Sequence, residues 1–152
     1  MGHGEDVDGW SAEPLLRESP AVPLQNRHAA SLGLNEAVLS SWLETYVRVR
    51  DVCAPHGRLW NVGFSIYPAI PADRSVPWLE AREMLDEDPD RRKRLYPVLA
   101  SLQSVLGTVS ARSPWARRPI TFIEGNFEVP ARALGLSGGW ADDHLWWTHT
   151  AA

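Results

Sequence analysis

Leu59-Trp60-Asn61-Val62-Gly63-Phe64-Ser65-Ile66-Tyr67 is the stretch on which the fold class turns. Trp60, Val62, Phe64 and Ile66 alternate strictly with Asn61, Gly63 and Ser65, a period of two that predicts a strand with one buried face. Pro68 and Pro71 close it. A second candidate strand spans 120–129, where Thr121, Ile123, Phe127 and Val129 oppose Phe122, Glu124, Asn126 and Glu128. Residues 145–150 carry strand chemistry as well. Two strands alone are marginal, so helices must cover them.

The flanking sequence supplies those helices. Residues 35–53 place Val38, Leu39, Trp42, Leu43, Tyr46, Val47 and Cys53 close to one helical stripe behind Asn35, a good N-cap. A short helix is expected over 77–87, and Asp88-Pro89 forms a second cap-and-proline start. Leu95, Val98, Leu99, Leu102, Val105, Leu106 and Val109 then predict a helix whose first turn contains Pro97. Residues 112–119 read as a basic, proline-flanked loop and 131–141 as a glycine-rich one. The expected fold is therefore α+β: two or three amphipathic helices on a small, mainly antiparallel sheet. Residues 1–27 form an extended arm, and 28–152 one globular domain.

A chain of 152 residues can bury a core of its own. No run is apolar enough for a membrane span, and the N-terminus lacks the apolar stretch of a secretory signal. With one cysteine, Cys53, there is no internal disulfide, and a cytoplasmic location is the default. Cys53 continues the apolar stripe of its helix and is read as a core residue. The net charge is −4, and the two short basic groups, at 91–94 and at Arg112, Arg117 and Arg118, are diluted by neighbouring acids or few in number. Nucleic acid is thus disfavoured as a partner. Arginine supplies nearly all the basic residues, a bias that fits a GC-rich bacterial coding sequence.

Tryptophan is over-represented, with eight residues against three each of Phe and Tyr. Indoles in such number fill a core or line a pocket or interface. We take Trp60 and Trp146, with Asn61, Ser65 and Asn126, as candidate ligand-binding residues. If the two strands pair, Asn61 and Ser65 join Glu124 and Asn126 in one polar cluster. Glu124 and Glu128 share a strand face but lie about 13 Å apart, too far for a glycosidase pair. Asp142 and His144, two apart, share a face in a strand, where the carboxylate could orient the imidazole for acid–base work. Glu124, Asp142 and His144 are accordingly the candidate catalytic residues.

No metal site is expected, because an offset of five puts His144 and His149 on different faces of either a strand or a helix. No cofactor is expected either: the glycine-rich phosphate cradles are missing. Three functions fit these residues. The leading one is a non-catalytic domain binding a small organic ligand or a protein partner through a Trp-rich surface. The others are a small cofactor-free enzyme and a structural subunit of a homo-oligomer.

Overall fold

The computed structural model describes residues 24–126 and 128–147. Among these residues there is no strand, so the α+β expectation is overturned: the architecture is helical. Its segments are α1 (Leu24–Ser31), α2 (Glu36–Cys53), α3 (Glu83–Glu87), α4 (Pro89–Arg92), α5 (Leu95–Val109), α6 (Arg117–Gly125), α7 (Ala131–Leu134) and α8 (His144–Trp147). Short 3-10 turns occupy Leu59–Asn61, Pro114–Ala116 and Trp140–Asp142. α1 runs through the boundary expected at 27–28, and residues 1–23 of the expected arm lie outside the described residues.

The helices begin where capping chemistry allows. The Asn35 side chain accepts from the Val38 N–H at 2.9 Å and opens α2. Asp88 accepts from the Asp90 N–H ahead of Pro89 and opens α4. Pro97 sits at the third position of α5, where its missing N–H is one of the donors a helix leaves unused anyway.

The alternation at 60–67 is real but does not make a sheet. Leu59–Asn61 is a 3-10 turn, and the chain beyond it is extended, with Phe64 buried and Ser65 exposed. Its main-chain groups find partners on helices instead of in a ladder. The Phe64 N–H donates to the Lys93 carbonyl at 2.7 Å. Further on, the Ser41 hydroxyl of α2 donates to the Tyr67 carbonyl at 3.4 Å and accepts from the Ala69 N–H at 2.9 Å. The Trp42 Nε1–H donates to the Ala69 carbonyl at 2.9 Å. The segment is a strap tied across α2, one side inward and one outward, which gives a period of two without a neighbouring strand.

The expected second strand is helix α6. The Ser113 hydroxyl accepts from the Trp115 N–H at 3.3 Å and Pro114 follows, so the segment read as a basic loop is a helix start. Ile120 and Ile123, three apart, then face inward, and Asn126 ends the helix with its amide donating to the Phe122 carbonyl. The third strand-like stretch turns helical at His144–Trp147 behind Asp143, whose Oδ1 accepts from the Leu145 N–H at 3.0 Å. The helix expected at 77–87 is confined to Glu83–Glu87, and Val76, Trp78 and Leu79 are buried in irregular chain before it.

α5 is the centre of the packing. Its apolar stripe was expected to be its buried side, yet of that stripe only Val98 is fully buried, and the other residues buried most completely lie elsewhere on the helix: Tyr96, Pro97, Ala100, Ser101, Gln103 and Ser104. The small side chains let neighbouring elements approach closely. The Tyr46 hydroxyl of α2 donates to Ser101 Oγ at 2.9 Å, and that hydroxyl donates to the Val98 carbonyl at 2.7 Å. Gln103 Nε2 donates to the Leu145 carbonyl of α8 at 3.4 Å. Leu95 and Leu99, on the other side, are only partly buried.

Two aromatic groups complete the core. Trp42 stacks on Trp78 with centroids 5.5 Å apart. Tyr96 stacks on Trp146 at 6.0 Å, with Trp140 edge-on to both. The Trp146 Nε1–H donates to the Tyr96 hydroxyl at 3.3 Å, which gives a buried indole the partner it needs. Burial pushes the Tyr96 hydroxyl pKa well above the ordinary phenol range, and pushes that of Tyr46 up to about 12.

Cys53 corrects a further expectation: it is exposed. It lies on the azimuth of Trp42 but eleven residues along, about 16 Å further down the axis, and the helix end has passed the core.

Candidate functional site

With no sheet among the described residues, the polar cluster expected from paired strands has no basis. Asn61 is exposed in a 3-10 turn and Ser65 on the strap. Glu124 is exposed near the end of α6, and Asn126 caps that helix. Asp142 closes a 3-10 turn and His144 begins α8, so the shared strand face expected for them does not exist. The acid that organises this region is their neighbour Asp143. Its Oδ2 accepts from the Glu80 N–H and its Oδ1 from the Leu145 N–H, both at 3.0 Å. His149 lies outside the described residues.

The indoles divide by role. Trp42, Trp78, Trp140 and Trp146 belong to the core or pack on it, so Trp146, expected to bind ligand, is a core residue. Trp147 is 48% exposed, with its Nε1–H donating to the Ala141 carbonyl. Trp60 and Trp115 also pack, partly buried, against the core, and they have a second role. They line one groove of about 640 Å³.

That groove is built from helical spacing. Leu95 and Leu99 of α5, four apart, present one face to it. Trp115, then Arg118 and Pro119, then Phe122 and Ile123 recur at steps of three and four along the Pro114–Gly125 turn and helix. Leu59 and Trp60 come from the 3-10 turn after α2, and Val129 and Leu134 from the chain that follows α6. The lining is overwhelmingly apolar. Phe122 is 65% exposed at this groove, a large ring left in water.

Arg118 is the one charged side chain among the described lining residues. No ion pair or side-chain hydrogen bond among the described residues engages its guanidinium. The first turn of α6 holds Arg117 and Arg118 and no acid. A helix N-terminus is itself positive, so the two charges reinforce its field.

A second hollow, of about 530 Å³, is polar. Arg74, Arg82 and Arg92 line it with Glu83 and Asp86. Each arginine already has a partner: Arg92 pairs with Asp86, Arg74 lies 4.0 Å from Glu83, and Arg82 donates to the Pro71 carbonyl. It is a surface network whose arginines are already engaged and screened by solvent.

Of the expected binding residues, then, Trp60 is placed in the groove. Trp115, Arg118, Phe122, Leu95 and Leu99 were not singled out for it. The signal that reveals them is Ser113-Pro114, a cap-and-proline pair of the same type as Asp88-Pro89, followed by apolar residues at helical spacing. Among the described residues no helix is long and apolar enough to cross a membrane. Compared with protein-family models, curated proteins and solved structures, the chain matches none.

Proposed function

We propose that this protein is a non-catalytic binding domain that takes a small, largely apolar organic ligand into the groove between α5 and α6. The observation that carries this reading is the groove itself. Its volume falls within the roughly 300–1,000 Å³ range of small-molecule sites, and its lining has the usual character of one: aromatic and aliphatic walls with a single polar group. None of its described lining residues is an acid, histidine, cysteine or serine, which favours binding over acid–base or nucleophilic chemistry. Trp60 and Trp115 offer flat, rigid surface at low entropic cost.

The test is a titration with octan-1-ol followed through the indole N–H resonances. Trp60 and Trp115 are expected to shift with a saturable profile, while Trp42 and Trp146 stay in place. Fully burying a Phe is worth about 1.5–3 kcal/mol. A ligand covering much of the exposed Phe122 ring should recover about 1 kcal/mol of that. Phe122→Ala should therefore weaken binding about fivefold. Shifts spread evenly over all indoles, or none at Trp60 and Trp115, would overturn the assignment.

A further inference from the structure

We infer that the ligand is an amphipathic monocarboxylate, with its apolar body between Trp60, Leu99 and Phe122 and its carboxylate on Arg118. This rests on the groove being a binding site and adds the chemical class of what enters it. Three observations support it. The groove carries one charge, a cation, in an otherwise apolar lining. That cation has no partner among the described residues, whereas the arginines of the polar hollow are matched by acids or a carbonyl. The first turn of α6 also has no acid to offset Arg117 and Arg118. Arg117 and Arg118 are thus adjacent exposed cations beside the groove, on a chain whose net charge is −4.

Charge complementarity at the mouth thus calls for an anion, and the walls call for hydrocarbon. A single guanidinium offers a planar fork of donors that fits a carboxylate through two parallel hydrogen bonds. A dianion such as a phosphate monoester would call for a second lining cation, which the described groove lacks.

Octanoate and octan-1-ol form the discriminating pair, since they share a hydrocarbon tail and differ in the head group. Both are titrated into the wild type, Arg118→Met and Arg132→Met, and the Trp60 and Trp115 indole resonances are read. Methionine keeps an apolar stem at an exposed position, and resonance dispersion checks that the fold persists. Arg118→Met is expected to weaken octanoate about threefold to tenfold, the range for a solvent-accessible charge-assisted contact, and to change octan-1-ol less than about twofold. Arg132→Met, which lies outside the groove lining, should change neither. Added salt should weaken octanoate alone, and each further methylene in the acid should tighten binding about fourfold until the groove is full. If Arg118→Met affects the acid no more than the alcohol, the carboxylate assignment is overturned and the apolar groove stands. If neither probe moves Trp60 or Trp115, the groove reading falls as well.

Discussion

Ala100→Leu tests the packing of α5 directly. By pattern, Ala100 lies away from the stripe of Leu95, Leu99, Leu102 and Leu106, and a substitution there would fall within about 0.5 kcal/mol of wild type, as surface changes do. In the structure Ala100 is fully buried. Leucine and alanine have nearly equal helix propensity, so the helix itself is not perturbed. Three extra carbons must enter a face that also carries Ser101 and Ser104, both buried. Overpacking of this kind costs about 1–3 kcal/mol. Leu102→Ala calibrates the result. It removes three carbons worth about 0.8 kcal/mol each from a partly buried site, a loss of about 2 kcal/mol. The two variants should therefore be similarly destabilised, one by adding the carbons the other deletes. Urea denaturation at matched m-values reads both. If Ala100→Leu costs less than about 0.5 kcal/mol while Leu102→Ala costs about 2, the helix is rotated from the orientation described and the centre of the core is elsewhere.

Alkaline pH should destabilise the protein through Tyr46. Its folded pKa is raised by burial, opposed in part by the hydrogen bond to Ser101, so its contribution is complete below the unfolded value near 10 and disappears as pH climbs through about 12. Tyr46 accounts for a loss on the order of 2 kcal/mol across that window; Tyr96, also raised by burial, adds a loss of its own, so Tyr46→Phe should lessen the slope without abolishing it, and an unchanged slope in pH-dependent urea melts would contradict the burial of that hydroxyl. Asp143→Ala should cost about 1–2 kcal/mol in a thermal or urea melt, because two backbone N–H groups, of Glu80 and Leu145, lose their acceptor. A near-neutral result would show that this carboxylate does not hold the C-terminal segment to the chain before α3.

How much of this could be read from residue order depends on the element. α2 was legible because cap, stripe and terminator agree from Asn35 to Cys53. The start of α4 was legible for the same reason, as was the place of Pro97 in the first turn of α5. The strap at 62–72 was not. Its alternation reports one covered side, and a helix surface covers a chain as well as a sheet does. α6 was hidden by its β-branched residues Ile120, Thr121 and Ile123, whose weak helix preference was outweighed by packing of Ile120 and Ile123 and by the Ser113 cap. The tryptophan surplus announced both of its uses without dividing them: the Trp42–Trp78 pair and the Trp140–Trp146 group are core, and Trp60 and Trp115 line the groove. Arg118 could not be chosen from the other arginines before α6 gave it a direction.

The strap leaves a lasting mark on what this sequence can become. Sheets spread their fastenings over many interchangeable main-chain contacts, so no single side chain is indispensable to them. Here one hydroxyl, at Ser41, serves both the Tyr67 carbonyl and the Ala69 amide, and the adjoining indole holds a third group. A descendant that drifted at position 41 would keep a flawless α2 and hold its crossing segment only by the Trp42 indole, the Phe64 amide and the buried Phe64 ring, so an unremarkable serine carries two of the few polar ties that replace a ladder.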